Sequence, residues 1–263
     1  MLPVIEKFYS IQGEGVFAGI PSVFVRVSGC NLRCVFKGSI CDTSFTSFHP
    51  TKSQYTSNDD IVNDIVDMMK ENKAEHLVIT GGEPLLYQAD LIYVLQQVMN
   101  YLPDITVTIE TNGSIVPEIK LTNMVDLFSV SPKLSTSVDN EGKVLKPKQV
   151  ELHNRTRINL DALSTFTTSS YFYFKYVYSG PECIQEIKDL HQQIVDKIVN
   201  EQNRNPEVYN MDLMNARTLL MPEGSNQEQL NNSRLGCVEA ALKQGWRFTD
   251  RLHITIWNDK KEV

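Results

Sequence analysis

The chain has little of several things. It holds five cysteines and two tryptophans in 263 residues, and its Lys and Arg total 25 against 32 Asp and Glu, a net charge of −7. No apolar run approaches the ~18–20 residues that span a bilayer. The N-terminal run Met-Leu-Pro-Val-Ile-Glu-Lys lacks the basic-then-apolar pattern of a signal peptide. The acidic balance excludes broad electrostatic binding to nucleic acid, which needs a basic footprint. The few cysteines do not form a secreted disulfide framework, so the expectation is a cytoplasmic protein with reduced thiols, without membrane or nucleic-acid partners.

What is present is concentrated. Cys30, Cys34 and Cys41 fall within twelve residues, directly after the β-branched run Ser22-Val-Phe-Val-Arg-Val27. A loop leaving a buried strand thus presents three thiols, and soft sulfur ligands select zinc, copper(I) or iron–sulfur. A structural zinc site would need a fourth ligand, for which His49 is available. Inert thiols are the blander alternative. Three cysteines without a fourth nearby also suit an iron–sulfur cube with one open iron. Cys183 and Cys237 lie in helical patterns and read as packing.

Strand patterns occur at 22–27, 76–79, 105–109, 126–130, 171–177, 218–220 and 253–257. Helical patterns lie between them at about 57–71, 88–100, 182–203 and 226–243. Residues 4–20 and 203–210 read as loop, and 134–168 as an insertion with helix around 147–163. Alternating strands and helices imply right-handed crossovers and a parallel sheet. About six units are too few for a closed barrel, so the expected fold is α/β, a partial (β/α) barrel in one domain over 1–263. Functional loops then sit at the carboxyl ends of the strands.

The distinctive segments fall there. They are Phe8-Tyr-Ser-Ile-Gln-Gly-Glu-Gly15, the run Gly19 to Cys34, Cys41-Asp-Thr43, Thr80-Gly-Gly-Glu-Pro84, Glu110-Thr-Asn-Gly113, Ser131-Pro-Lys133, Met221-Pro-Glu-Gly224 and Arg247 to Trp257. Together they resemble the 7-carboxy-7-deazaguanine synthases, a family of radical S-adenosylmethionine enzymes. One departure is visible: the family spacing C-x3-C-x2-C is here C-x3-C-x6-C, with about Lys37 to Ile40 added.

The resemblance implies a carbon–nitrogen lyase of 7-deazaguanine (queuosine-type) biosynthesis. It would convert 6-carboxy-5,6,7,8-tetrahydropterin to 7-carboxy-7-deazaguanine with a [4Fe-4S] cluster, S-adenosylmethionine and Mg²⁺. By the same resemblance Cys30, Cys34 and Cys41 hold the cluster, and Thr43 joins the Mg²⁺. Gly81, Gly82, Glu83, Glu110, Ser131, Pro132, Lys133, Met221 and Gly224 would contact S-adenosylmethionine. Ile11, Gln12, Gly13, Glu14, Arg26, Thr80 and His253 would face the pterin. A flavodoxin-like reductant and a homodimer are also implied. Seen alone, Gly-Gly is a plain turn, Lys133 an exposed cation, Arg26 a surface ion pair and His253 packing. The remaining alternatives are a glycyl-radical activating enzyme and a zinc-stabilised binding module without catalysis.

Overall fold

The structure is a computed structural model that describes residues 1–37, 39–50, 52–53, 55–138 and 143–260. Among the described residues the strands are β1 (Val4–Ile11), β2 (Pro21–Val27), β3 (Val35–Phe36), β4 (Ser39–Ile40), β5 (His76–Gly81), β6 (Thr106–Thr111), β7 (Leu127–Val130), β8 (Phe172–Tyr178), β9 (Thr218–Pro222) and β10 (Arg247–Phe248). Eight of them form one sheet, in the order β1-β2-β5-β6-β7-β8-β9-β10. β1 is antiparallel to β2, and each later neighbour pairs in parallel. This is the partial barrel expected, six full parallel strands plus the two-residue β10.

The helices are α1 (Ser44–Ser47), α2 (Asn58–Asn72), α3 (Gln88–Tyr101), α4 (Ile119–Thr122), α5 (Pro147–Thr156), α6 (Leu160–Ser169), α7 (Cys183–Asp196), α8 (Met211–Ala216), α9 (Gln227–Gln244) and α10 (Leu252–Trp257). α2 shows how they attach. The Ser57 hydroxyl caps its N-terminus by accepting from the Asp60 amide at 3.1 Å. Ile61, Ile65 and Met69 then recur at helical spacing and are buried in the core.

Alternation along the strands separates two faces. Val23, Val25, Leu77, Ile79, Val107, Ile109, Phe128, Val130, Phe174 and Tyr176 join the helix-covered core. The intervening residues point to the other face, and they include Arg26, Thr80, Glu110, Ser129 and Lys175, which line one cleft. Lower on that face the loop after β1 enters. Val16 and Phe17 pack on Leu127, Tyr173 and Leu219, and Phe17 meets the His76 ring edge-on at 5.1 Å. The same loop bridges to the far edge of the sheet: Gly15 N donates to Thr249 Oγ1 at 2.7 Å, and Leu252 N to Gly13 O at 2.8 Å.

Three readings are corrected, and one segment left unread is assigned. Residues 4–11 form a strand rather than a loop, because Phe8 stacks on Phe24 at 5.0 Å and β1 runs in register with β2. The helix around 147–163 is two helices, since the Asn159 side chain accepts from the Asp161 and Ala162 amides and starts α6 anew. Residues 211–216, beyond the expected loop, form α8. Residues 253–257 are helical. β10 already occupies the sheet edge beside β9, so these β-prone residues have no partner strand and bury only Ile254.

Three histidines are buried inside this architecture. Burial pushes His76 and His153 from 6.5 down to about 4, and His191 to about 3. The unfolded chain takes up these protons near pH 6.5 and the folded chain does not, so folding stability falls as pH drops from about 6.5 toward 4. Each histidine steepens the fall by up to about 1.4 kcal/mol per pH unit. Denaturant midpoints measured across that range should decline steadily on acidification; a flat profile contradicts the assignment.

Candidate active site

The carboxyl ends of the strands surround a cleft of about 680 Å³. Cys30, Cys34 and Cys41 all line it. The four added residues leave and return as a hairpin, Val35 opposite Ile40 and Phe36 opposite Ser39, with Gly38 outside the described residues. Its closure lets Cys41 N donate to Cys34 O at 3.0 Å. The longer spacing therefore still delivers the third thiol beside the second.

Burial pushes the Cys30 thiol up to about 11 and raises Cys34 and Cys41 as well, while the Lys133 ammonium pulls the other way on all three. Thiols held this way are poor nucleophiles and have no disulfide partner in the structure. They fit a metal centre, because a coordinating thiol is deprotonated outright by the metal. Among the described residues no three His, Cys, Asp or Glu side chains converge as ligands of a single ion. In a cluster the thiolates sit on different irons, so such convergence is not required. His49, the fourth ligand of the zinc alternative, is exposed and does not line the cleft.

The Thr80–Pro84 segment sits against the cysteine loop. Gly81 has φ +135°, and a Cβ there would lie 2.3 Å from Val27 O. A Cβ on Gly82 would lie 1.9 Å from Gly29 O. Glu83 N donates to Gly29 O at 2.8 Å. The Glu83 carboxylate does not line the cleft. It is fully buried and accepts from Leu85 N, Thr111 Oγ1 and Asn112 N at 2.7–3.0 Å. Burial raises its pKa and these donors oppose the shift. Pro132 also lies outside the cleft lining, whereas Gly81, Gly82, Glu110, Ser131, Lys133, Met221 and Gly224 belong to it. Lys133 Nζ donates to Ser131 Oγ at 2.9 Å.

Ile11, Gln12, Gly13, Glu14, Arg26, Thr43, Thr80 and His253 line the same cleft. Glu110 accepts from Gln12 Nε2 at 3.2 Å and from Thr80 Oγ1 at 2.8 Å. Arg26 pairs with Glu6 at 2.7 Å, its guanidinium 5.9 Å from the Phe8 and Phe45 rings. Gly13 is obligatory for packing: a Cβ there would meet His253 Nδ1 at 2.1 Å. Burial lowers the pKa of His253, so the ring is neutral at pH 7. Thr43 Oγ1 is 3.3 Å from Cys41 Sγ.

Four further residues complete the wall. Lys175 is 6% exposed and pairs with Glu14, which also receives Arg251 Nε at 2.8 Å. Arg251 Nη2 reaches Asp42 Oδ2 at 2.5 Å. Glu14 is buried, which alone would raise its pKa, but the two cations hold it well below the usual carboxylate range. Asn112 joins the cysteine loop through Asn31 Oδ1 at 3.0 Å. The signal for Lys175 was in the sequence, a lone cation in the aromatic run Phe172-Tyr-Phe-Lys-Tyr. Asp42 and Arg251 carried none by themselves.

The Gly82 contact is backbone on backbone, with no flexible side chain to yield. Gly82→Ala should therefore cost about 1–3 kcal/mol of stability and displace the cysteine loop. Iron retained after anaerobic reconstitution should fall sharply, together with the melting temperature. An alanine variant that loads and melts like the parent refutes this geometry.

Comparison with known proteins agrees with this construction. Residues 11–149 match the family model of a 4Fe-4S single cluster domain. The chain is 36% identical to the 7-carboxy-7-deazaguanine synthase of Halobacterium salinarum, across 100% of this chain and 93% of that protein. It is 29% identical to the Rhodopirellula baltica synthase, across 99% of this chain and 88% of that protein. The crystal structure of QueE from Escherichia coli shares the fold at a TM-score of 0.57 and 22% identity, covering 96% of this chain and 94% of that one. With a cysteine-lined cleft at the strand ends and this full-length similarity, the chain belongs to the 7-carboxy-7-deazaguanine synthase family.

Proposed function

We propose that this chain converts 6-carboxy-5,6,7,8-tetrahydropterin to 7-carboxy-7-deazaguanine, contracting the ring and releasing ammonia, in 7-deazaguanine (queuosine-type) biosynthesis. The supporting observation is that the three thiols and nearly every segment of the family resemblance line one cleft. The cofactors are a [4Fe-4S] cluster and S-adenosylmethionine; when bound and reduced, they supply a 5′-deoxyadenosyl radical that abstracts one hydrogen.

The chain's own residues do the rest. Cys30, Cys34 and Cys41 are the ligands of the cluster. Gly81 and Gly82 let backbone approach the S-adenosylmethionine amino group without a side chain between, while Glu83 braces the strand ends from behind. Glu110, Ser131, Lys133, Met221 and Gly224 flank the remainder of that cofactor. Toward the substrate, Gln12 and Thr80 donate to Glu110 and orient it. Arg26 is the fork for a carboxylate, its planar guanidinium already ordered by Glu6. His253, neutral and packed against Gly13, offers ring nitrogens to the pterin edge. Thr43 presents a hydroxyl to Mg²⁺, a hard cation that prefers oxygen and retains water.

We further propose a flavodoxin-like reductant, a homodimer and a cytoplasmic setting. No helix among the described residues is long and apolar enough to cross a membrane, and the five cysteines are free thiols.

The deciding experiment is product analysis by mass spectrometry after anaerobic reconstitution with iron and sulfide. S-adenosylmethionine, Mg²⁺, dithionite and 6-carboxytetrahydropterin should yield 7-carboxy-7-deazaguanine, and Cys30→Ala should reduce it at least 1,000-fold (about 4 kcal/mol in barrier). 5′-Deoxyadenosine without that product would refute the substrate.

A further inference from the structure

Arg251 joins three segments of the cleft wall, a connection to which the proposed reaction has assigned no role. Its guanidinium is 13% exposed and spends its donors on three separate segments. Nε donates to Glu14 Oε1 at 2.8 Å, Nη2 to Asp42 Oδ2 at 2.5 Å, and Nη1 to Gly224 O at 2.5 Å. Its own amide donates to Asp250 Oδ1 at 2.9 Å, which fixes where the side chain starts. A planar guanidinium with a fixed fork of donors suits two carboxylates and a carbonyl that arrive from three directions.

Asp42 is the residue between Cys41 and Thr43, and it ends the lengthened segment of the cysteine loop. The hairpin that carries the added residues has strands of two residues each, too short to be stable unaided. The ion pair at its tip, Lys37 to Glu223, is long at 3.9 Å and leaves Lys37 64% exposed, so it contributes little. Beside the backbone bridge from Val35 to Val138, the bond from Arg251 to Asp42 is therefore the closer ionic tether, at the base of the hairpin, with Arg251 13% and Asp42 39% exposed. Its other end is Glu14, on the loop that faces the substrate, which Lys175 holds from the opposite side. Arg26 also lies close enough to favour the Asp42 carboxylate.

We propose that Arg251 is a positioning residue: through Asp42 and Glu14 it anchors the lengthened cysteine loop to the substrate loop, and so registers Cys41 and Thr43 against the bound substrate. The substrate readout of this inference rests on the function proposed above; the anchoring readout does not.

The test uses full-length protein and the variants Asp42→Asn, Arg251→Gln and Arg251→Lys. Hydrogen exchange followed by mass spectrometry, on cluster-free protein, reads the anchor without substrate. Exchange in the peptide around 34–46 should quicken at least tenfold in Asp42→Asn and Arg251→Gln, with the melting temperature within a few degrees of the parent. After anaerobic reconstitution, iron per chain should match the parent in Asp42→Asn. The ratio of 5′-deoxyadenosine to 7-carboxy-7-deazaguanine should nevertheless rise at least fivefold, because radical formation is no longer aligned with the substrate. A double variant of Asp42→Asn with Arg251→Gln should be no worse than Arg251→Gln alone, since the bond to Asp42 is already lost there. Arg251→Lys, which keeps charge but not the fork, should recover part of the loss.

Unchanged exchange in Asp42→Asn overturns the anchor. Quickened exchange with parental coupling overturns the positioning role, as does loss of iron in step with loss of product. If the parent protein itself makes no 7-carboxy-7-deazaguanine, the functional reading has failed, and the exchange data still decide whether Arg251 is the anchor.

Discussion

Everything at the site depends on how closely two backbones approach. Gly82 lies where a Cβ would be 1.9 Å from Gly29 O, and Gly82 N and Glu83 N close the gap by donating to Val27 O and Gly29 O. This seats the start of the cysteine loop on the end of β5. The Glu83 carboxylate then ties the same point to the end of β6 through Thr111 and Asn112. Asn112 passes the connection back to the cysteine loop at Asn31. A fully buried carboxylate is costly to bury, and three well-formed donors are what make it tolerable. Cys30 is therefore held by rigid strand ends rather than by its own flexible loop.

The second constraint is electrostatic. A sheet that does not close must cover its open side with something other than a strand. Here the loop after β1 crosses it, with Phe17 wedged among inner-face side chains and Glu14 between Lys175 and Arg251. Charges alternate in sign along the wall, from the largely buried Lys175, Glu14 and Arg251 to the more open Asp42, so each is compensated by neighbours. Burying such ions stabilises little by itself, but it fixes geometry, since any displacement leaves a charge unpaired in a low-dielectric setting. Positions around the substrate are thereby set before it binds.

Much of this was legible in the sequence. The parallel strands and crossover helices follow from periodicity, and the cleft motifs follow from glycines and polar residues at strand ends. What the sequence hid has physical reasons. The half-buried edge strand β1 has polar residues such as Glu6 and Lys7 among apolar ones, and its register depends on Phe24 across the sheet. The helix at 252–257 has β-forming residues but no free edge to join. Glu83 reads as a ligand contact by motif, while burial and three donors turn it inward. Lys175, Asp42 and Arg251 are single charges far apart in sequence, and only the fold brings them to Glu14. The extra residues before Cys41 depart from the family spacing, and the hairpin shows how they return the chain to the same place.

The central claim is that the three thiols hold an iron–sulfur cluster with one iron open to S-adenosylmethionine. The most direct test is metal and sulfide analysis of anaerobically purified protein, with electron paramagnetic resonance of the reduced sample before and after S-adenosylmethionine is added. The account predicts about four iron and about four sulfide per chain, and a spectrum whose g-values shift on addition. One zinc per chain without sulfide, or a spectrum indifferent to S-adenosylmethionine, would contradict it.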